Sequence, residues 1–271
     1  MTKPFLKWPG GKRWLTAYVY NTLKERTFNR YFEPFLGGGA VFFSLYPKAA
    51  ILSDVNEDLV NTYRQVKEQP LKLIEKLKEI PVDKETYLTL REASPINPVD
   101  RAVRFLYLNR TAFGGMYRLD REGHFNVPFG GGQRTPEPLW RDNLLTNASE
   151  VLRDAMITTA DFEEVLADAG KGDLVYCDPT YTVSHNNNGF IRYNERNFSW
   201  SDQQRLGCAC KEATTRGAFV LVSNAFHQEV AKLYPTADVH VLERKSLLCP
   251  SSSKRQTVQE YLFVLTPKFT I

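Results

Sequence analysis

The residues best suited to chemistry form one short segment, Asp178-Pro179-Thr180-Tyr181, which directly follows a mostly apolar run over residues 174–177. That run has the composition of a buried strand in a parallel sheet, and ligands of open α/β sheets bind beyond the carboxyl ends of such strands. The carboxylate of Asp178 and the carbonyl of Pro179 are two hydrogen-bond acceptors, and the ring of Tyr181 offers a face to a flat base. The segment therefore predicts a pocket for an adenine amino group, although an Asp-Pro pair is also common in plain turns.

A second cluster lies near the N-terminus, where residues 5–12 read Phe-Leu-Lys-Trp-Pro-Gly-Gly-Lys. The proline and the two glycines predict a tight turn, which Trp8 and Lys12 flank. An aromatic face and an ammonium group in this arrangement could hold a zwitterionic small molecule. The alternative is an ordinary N-terminal loop with a solvated lysine.

A glycine cluster at residues 37–39 separates a short aromatic strand from the start of an apolar helix. Such a loop lets a ligand approach backbone N–H groups, and the nearby acid Glu33 favours a positively charged ligand group. The contiguous glycines lack the Gly-x-Gly-x-x-Gly spacing of dinucleotide sites, which disfavours a nicotinamide oxidoreductase. Asp54 ends the next predicted strand, a position that commonly holds ribose hydroxyls, although this residue could equally cap a helix.

Another acid, Asp161, follows a predicted strand over residues 156–160 and directly precedes Phe162. This pair could bracket an adenine, with Asp161 on its amine and Phe162 on its face. Two loops are further candidates for function. The polar residues 184–190 are suited to a lid over the site, and the basic, serine-rich residues 244–255 are suited to phosphate contacts.

The composition limits the class of protein. With 271 residues, of which 42% are hydrophobic, the chain can form a sizeable core in one large domain or two unequal ones. Its net charge of +4 permits a nucleic-acid partner. The cysteines and histidines are scattered without metal-ligand spacing, and the chain shows no apolar run fit for a signal peptide or a membrane span. We therefore expect no metal, no membrane association and a reduced, cytoplasmic setting.

The segment over residues 57–145 differs from the rest of the chain because helical periodicity dominates its first half, which predicts a helical domain inserted into the sheet. Residues 101–141 carry seven arginines and no lysine, with aromatic residues between them. Within this stretch, residues 117–126 alternate like a β-hairpin, with Glu122-Gly123 near the turn. An arginine-bearing hairpin beside a helix favours DNA binding over the alternative of a solvated charged face.

Together these motifs resemble, in the same order and over about residues 5–265, the Dam-like (D12 class) DNA adenine-N6 methyltransferases. The resemblance rests on residues 5–12, 33–39, 105–110, 125–130 and 178–181, the last of which is similar to the family's Asp-Pro-Pro-Tyr. It implies an α/β fold with a Rossmann-like S-adenosylmethionine-dependent methyltransferase sheet, formed by residues 1–56 and 146–271. It also implies an inserted, mainly helical target-recognition domain over residues 57–145 that carries the β-hairpin.

The resemblance implies S-adenosylmethionine as the cofactor and double-stranded DNA as the partner. The implied cofactor-binding residues are Trp8, Lys12, Glu33, Phe35, Gly37 and Gly39 on the methionine side, Asp54 at the ribose, Asp161 and Phe162 at the adenine, and Asp178. The implied DNA-binding residues are Arg110, Phe113, Met116, Arg118 and Asn126. Of these, Arg118 falls where the family's guanine-reading arginine does, next to the target adenine in GATC or a closely related site.

The implied catalytic residues are Asp178, Pro179 and Tyr181. The target adenine leaves the duplex and stacks on Tyr181, while Asp178 and the Pro179 carbonyl accept its two amino hydrogens. The amino nitrogen then attacks the methyl group directly, without a cysteine nucleophile. We expect a monomeric enzyme, encoded by a bacterium or a phage, that acts on DNA in the cytoplasm and takes part in restriction-modification.

Two departures from the family pattern keep a second hypothesis open. Thr180 stands in place of the second proline, and Gly114 and Met116 stand where relatives commonly carry Asn and Leu. The chain could therefore be a DNA-binding relative that holds the cofactor and methylates weakly or not at all.

Overall fold

The computed structural model describes residues 2–23, 26–120, 122–182, 198–245 and 257–268. Its strands are β1 (Tyr31–Glu33), β2 (Ala50–Asp54), β3 (Ala155–Thr159), β4 (Leu174–Cys177), β5 (Phe219–Ala225), β6 (Asp238–Lys245) and β7 (Thr257–Leu265). They form a seven-stranded sheet in the order β3-β2-β1-β4-β5-β7-β6. The predicted loop over 184–190 and most of the predicted basic loop, residues 246–255, lie outside the described residues.

Helices precede and separate these strands along the chain. They are α1 (Thr16–Leu23), α2 (Ala40–Leu45), α3 (Glu57–Glu68), α4 (Pro70–Lys78), α5 (Lys84–Glu92), α6 (Pro98–Thr111), α7 (Pro138–Arg141), α8 (Leu144–Leu152), α9 (Phe162–Ala167), α10 (Trp200–Thr215) and α11 (Gln228–Ala231). A short 3-10 turn over Phe113–Gly115 follows α6. Within the described part of the chain, no helix is both long enough and apolar enough to cross a membrane.

The central strands are parallel, and the last two strands are antiparallel. β1 pairs with β2 and β4, and β4 pairs with β5, all in parallel. β7 runs antiparallel between β5 and β6. Every residue of β1, β4 and β5 is buried, as expected for parallel strands that are covered on both faces. The predicted strand over 174–177 is confirmed, and its carboxyl end lies in the middle of the sheet.

The predicted helical segment after residue 56 is confirmed, because four helices in succession, α3 to α6, follow β2. Local chemistry explains their boundaries. The side chain of Asn56 accepts a hydrogen bond from Leu59 N and caps α3. Pro70 and Pro98 each occupy the first turn of a helix, where the missing N–H of proline has no intrahelical partner to lose.

The described chain divides into two compact units. The first contains residues 1–24, 36–48 and 54–159, and the second contains residues 25–35, 49–53 and 160–271. The predicted target-recognition segment, 57–145, falls within the first unit. The core of the second unit is built from apolar side chains of β4, β5, β7, α9 and α10.

Candidate active site

The segment predicted for catalysis begins where β4 ends. β4 lies between β1 and β5 in the second unit, so the carboxyl ends of three parallel strands are neighbours at this edge. Pro179 is buried, Asp178 and Tyr181 are half-buried, and the side chain of Thr180 is exposed. This placement at a parallel sheet's carboxyl edge is the one in which α/β proteins bind ligands.

The carboxylate of Asp178 is aligned by two buried hydroxyl groups. Ser223 Oγ donates a hydrogen bond of 2.8 Å to Asp178 Oδ1. The hydroxyl of Tyr176 lies 3.0 Å from Ser223 Oγ. A serine hydroxyl has a single proton, and Ser223 directs it at the carboxylate, so Tyr176 is the donor in the second bond. The chain from Tyr176 through Ser223 therefore sets the orientation of the Asp178 carboxylate.

The ring of Tyr181 is held at its far end. Its hydroxyl donates to Glu260 Oε2 at 2.7 Å, and Glu260 Oε1 accepts from Arg244 Nε at 2.5 Å. Burial, followed by the nearby carboxylates of Asp178 and Glu260, raises the pKa of Tyr181 well above its ordinary value. The hydroxyl therefore keeps its proton at neutral pH and remains a donor to Glu260.

The backbone carbonyl of Thr180 also accepts a hydrogen bond from a buried side chain. Gln203 Nε2 donates to the Thr180 carbonyl at 3.4 Å, a long and therefore weak bond. Gln203 is fully buried, and its Oε1 accepts from Asn224 Nδ2 at 2.9 Å. This weak contact lies at the position where the family pattern has a second proline.

Three phenylalanines of the second unit cluster beside Asp161. Phe35 stacks on Phe162 with ring centroids 5.4 Å apart, and Phe198 meets both rings edge-on. Asp161 caps α9 through Glu163 N at 3.0 Å and accepts from Arg205 at 2.8 Å.

The sequence predicted that Asp161 and Phe162 are arranged to bracket an adenine. In the structure Phe162 is only 3% exposed, because Phe35 stacks on it and the guanidinium of Arg205 lies 4.8 Å from its centroid. An adenine that stacks on Phe162 must therefore displace one of these neighbours.

Glu33 places a buried carboxylate at the end of β1. It is 2% exposed and accepts a hydrogen bond of 2.7 Å from the hydroxyl of Tyr31. Burial, followed by the charge of Glu33, raises the pKa of Tyr31 well above its ordinary value, so the phenol stays protonated. A buried carboxylate interacts favourably with a cationic group.

The predicted glycine loop belongs to the first unit, and its shape depends on the absence of side chains. Gly37 and Gly39 have φ values of 45° and 63°, in the left-handed region. A Cβ on Gly37 would lie 2.7 Å from Nε1 of Trp8. The Trp8 ring, which the sequence also predicted for the site, therefore packs directly on this loop. Lys12 is buried, and its ammonium donates to the Gly10 carbonyl at 3.2 Å.

Asp54 is hydrogen-bonded to the same loop. Its Oδ2 accepts from Gly37 N at 3.1 Å, and its Oδ1 accepts from Asn56 N at 3.0 Å. Burial raises the pKa of Asp54, while the backbone N–H donors, Gly37 first, act in the opposite direction. The alternative expectation, that Asp54 caps a helix, is wrong, because Asn56 caps α3 and Asp54 instead closes the glycine loop. Its expected contact with the ribose stays a prediction.

The predicted hairpin over residues 117–126 is confirmed in the first unit. Leu119 and Phe125 form an antiparallel bridge, and the Asp120 carboxylate closes the turn by accepting from the backbone N–H of Glu122 and His124. The exposed side chain of Arg118 donates to the Asn126 carbonyl at 3.0 and 2.6 Å.

The predicted DNA-binding residues differ in exposure. Phe113 is 58% exposed, Arg118 and Asn126 are exposed, and Met116 is half-buried. Arg110, by contrast, is 7% exposed and donates to the Phe5 carbonyl at 2.5 Å. Burial lowers the pKa of Arg110 to about 10. Its guanidinium therefore lies in the interior of the first unit, unlike the exposed side chains of Phe113, Arg118 and Asn126.

Several residues that support the site have no motif around them. Ser223, Glu260, Gln203 and Arg244 touch the catalytic segment or its partners. Only Arg244 lies in a stretch singled out above, the basic residues 244–255, and it belongs to β6 and pairs with Glu260. The sequence offers two weak signals, an acid directly before the mostly apolar run 261–265 and the polar pair Ser223-Asn224 directly after the apolar run 218–222. Among the described residues, no group of three or more His, Cys, Asp and Glu side chains could hold a metal ion.

A sheet whose central strands are parallel, with an acid-led segment beyond the carboxyl end of its middle strand β4, has the architecture of the Rossmann-like methyltransferases. Residues 8–247 match the family model of the D12 class N6 adenine-specific DNA methyltransferases, and the chain belongs to this family. It is therefore an S-adenosylmethionine-dependent DNA methyltransferase that modifies adenine at N6. The glycine loop fits this cofactor because its left-handed glycines carry no side chains, so a ligand can approach the backbone closely.

Curated relatives agree with this family over nearly the whole chain. The type II methyltransferase M1.LlaDCHI of Lactococcus lactis subsp. cremoris is 36% identical, with 96% of this chain and 94% of the relative covered. A DNA adenine methylase of Vibrio cholerae is 33% identical, with 98% and 96% covered. A DNA N-6-adenine-methyltransferase of Escherichia phage P1 is 32% identical and covers 93% of this chain, which matches 34% of that longer protein.

Proposed function

We propose that the protein methylates an adenine that is flipped out of double-stranded DNA, within GATC or a closely related site. The observation that carries this proposal is the aligned catalytic segment, in which Ser223 orients the Asp178 carboxylate and Glu260 holds the Tyr181 hydroxyl. Two acceptors and a restrained aromatic ring are the groups that an extruded adenine requires.

The chemistry follows from the two acceptors. The amino group of the flipped adenine donates one hydrogen to the Asp178 carboxylate and the other to the Pro179 carbonyl, while the ring stacks on Tyr181. These bonds draw the nitrogen lone pair out of conjugation with the ring and orient it for attack. S-adenosylmethionine would supply the methyl group, whose bond to sulfur breaks as the bond to nitrogen forms, so that S-adenosylhomocysteine leaves. The nitrogen gives up one proton by way of the Asp178 carboxylate, which passes it to solvent.

The cofactor contacts are proposed from the family resemblance together with the contacts above. The methionine side is held by Trp8, Lys12, Glu33, Phe35, Gly37 and Gly39, the ribose by Asp54, and the adenine by Asp161 and Phe162. Asp178 lies next to the reacting group. The buried carboxylate of Glu33 is suited to the cationic part of the cofactor.

For sequence reading, we propose that Arg118 donates to O6 and N7 of the guanine beside the target adenine. Its exposure supports this role, and its bonds to the Asn126 carbonyl show that the hairpin restrains its guanidinium. Phe113, Met116 and Asn126 complete the contact surface. Given its burial, Arg110 is proposed to support this surface from below.

The experiment is methylation of genomic DNA from a strain that lacks adenine methylation, followed by mapping of modified adenines in their sequence context. We expect N6-methyladenine confined to GATC or one related motif, and no modification with the Asp178→Asn variant. Modified adenines without a shared motif would exclude the proposed specificity.

A second function is favoured by one observation, the threonine at position 180. A relative disabled by this change would bind the cofactor and DNA, yet leave genomic adenine unmodified in the same experiment. The hydrogen bonds that orient Asp178 and Tyr181 support the active enzyme instead. We further propose that the enzyme works as a metal-free monomer on cytoplasmic DNA, with a role in restriction-modification that its type II relatives suggest.

A further inference from the structure

Glu260 is a buried acid in an otherwise apolar part of β7. It is 1% exposed, and its neighbours on the strand, residues 262–265, are all buried and apolar. Burial of a carboxylate is unfavourable unless each of its oxygens finds a partner. Glu260 meets this condition with two different partners, because Oε1 accepts from Arg244 and Oε2 accepts from Tyr181.

Arg244, on the neighbouring strand β6, orients the Glu260 carboxylate. In the antiparallel pairing of β6 and β7, Leu242 is opposite Glu260 and Arg244 is opposite Val258. Arg244 therefore reaches Glu260 diagonally across the two strands, over a distance that long side chains span. The Arg244 side chain is 19% exposed and that of Glu260 is 2% exposed, so the ion pair is shielded from water on the Glu260 side.

The second partner of Glu260 is Tyr181, whose ring is proposed to stack on the target base. Tyr181 leaves the backbone beyond β4, in a segment where Thr180 does not restrict φ as a proline would. Its hydroxyl lies at the opposite end of the side chain, and the 2.7 Å bond to Glu260 fixes that end. A ring held at both ends keeps one orientation, whereas a ring held only at Cβ can rotate about its χ angles.

We infer that Glu260, itself oriented by Arg244, is a positioning residue that holds the Tyr181 ring in the orientation on which the flipped adenine stacks. The inference rests on the proposed function, since it assigns a role to Tyr181 as the stacking face. It predicts that Glu260 acts on the transfer step through the tyrosine hydroxyl and not through the binding of cofactor or DNA.

The test is single-turnover transfer of labelled methyl groups from S-adenosylmethionine to genomic duplex DNA that lacks N6-methyladenine. The variants are Tyr181→Phe, which removes only the hydroxyl, Glu260→Gln, and both together. The glutamine keeps its carbonyl oxygen for Arg244 and turns its NH₂ toward Tyr181, so the bond from the tyrosine hydroxyl to a charged carboxylate is replaced by a weaker bond between neutral groups in which the hydroxyl accepts. We expect each single variant to transfer about tenfold more slowly, with affinities for cofactor and DNA changed less than about twofold.

The double variant separates positioning from general damage. If both changes remove the same tether, its rate should equal that of the slower single variant, whereas independent effects would multiply to about a hundredfold. Tyr234→Phe is the matched control, because the buried Tyr234 hydroxyl finds no hydrogen-bond partner among the described residues. Its rate should equal that of the wild type. Glu243→Gln, on the exposed side of β6, should also leave the rate unchanged.

A Glu260→Gln variant with the wild-type rate, or losses that multiply in the double variant, would overturn the inference while the proposed function stands. If Glu260→Gln does not fold, Tyr181→Phe against Tyr234→Phe decides, and equal rates would overturn the inference. A wild type that transfers nothing to DNA would instead overturn the proposed function, and the role of Glu260 with it.

Discussion

The glycine loop of the first unit and the catalytic segment of the second unit are held in shape in different ways. The loop depends on backbone conformation, since Gly37 and Gly39 adopt φ values that favour glycine and leave no room for a Cβ. The catalytic segment depends on side chains from far along the chain, with Ser223 45 residues from Asp178 and Glu260 79 residues from Tyr181. The loop should therefore be sensitive to added atoms, and the segment to lost hydrogen bonds.

The largest effect is expected at Asp178, the proposed hydrogen-bond acceptor for the adenine amino group. Asp178→Asn preserves the size of the side chain but exchanges a charged acceptor for an amide whose NH₂ opposes the base amine. Methyl transfer should fall by about a thousandfold, as when a stabilising contact of the transition state is removed. Single-turnover transfer to duplex DNA measures this loss, and Asp168→Asn, an exposed acid after α9, is the control. Transfer within tenfold of the wild type would exclude Asp178 as the main acceptor.

The corresponding test of the loop adds a single methyl group. Gly37→Ala should weaken S-adenosylmethionine binding by roughly tenfold to a hundredfold, because the left-handed backbone disfavours alanine and the new Cβ collides with Trp8. Titration calorimetry gives the affinity. Gly132→Ala is the control, since a Cβ there meets nothing within 4 Å. Equal affinities in the two variants would show that the loop tolerates side chains.

Asp54 tests whether the loop also depends on a hydrogen bond. Asp54→Ala removes the acceptor for Gly37 N, and cofactor binding should weaken by about 1–3 kcal/mol. Unchanged affinity in a folded variant would remove Asp54 from the cofactor site.

The raised pKa of Asp54 adds a pH dependence with a definite sign. The folded protein protonates this carboxyl at a higher pH than an ordinary aspartate, so the charged acceptor is lost earlier as the pH falls. Wild-type affinity should therefore decline with decreasing pH from above the usual range of aspartate, while the affinity of Asp54→Ala should not follow this decline.

The hairpin is a third region for comparison, and its proposed function depends on the exposed side chain of Arg118. Arg118→Ala should cost roughly 1–3 kcal/mol of binding to the proposed site and relax the choice of base at the guanine position. Binding to matched and guanine-substituted duplexes measures both effects, with the exposed Arg141→Ala as the control. An equal loss on all sequences would identify Arg118 as a phosphate contact.

The smallest effect is expected at Thr180, where a proline would make the backbone of the catalytic segment more rigid. Thr180→Pro restores the family's second proline, and since no transition-state contact changes, the transfer rate should shift by no more than about tenfold. A large gain would mean that the distant tethers do not replace the missing restraint. Transfer that is absent in the wild type and appears only in this variant would identify the chain as a disabled relative.

The sequence alone determined the features that depend on short-range chemistry. The apolar run before Asp178 predicted β4, the contiguous glycines predicted an open loop, and the alternation around Gly123 predicted the hairpin. Each follows from steric limits or side-chain periodicity within a few residues. The motifs in their order also predicted the family.

Only the tertiary structure decided which side chains support the site. β6 was not predicted because none of its described side chains is buried, and it exists through its pairing with β7. Arg110 was expected at the DNA surface, and its burial against the Phe5 carbonyl follows from packing that its neighbours in sequence do not reveal. The tethers from Ser223 and Glu260 arise where β5 and β7 bring polar groups beside the end of β4. A hydrogen bond between such distant residues leaves no local pattern, because its geometry exists only once the strands are paired.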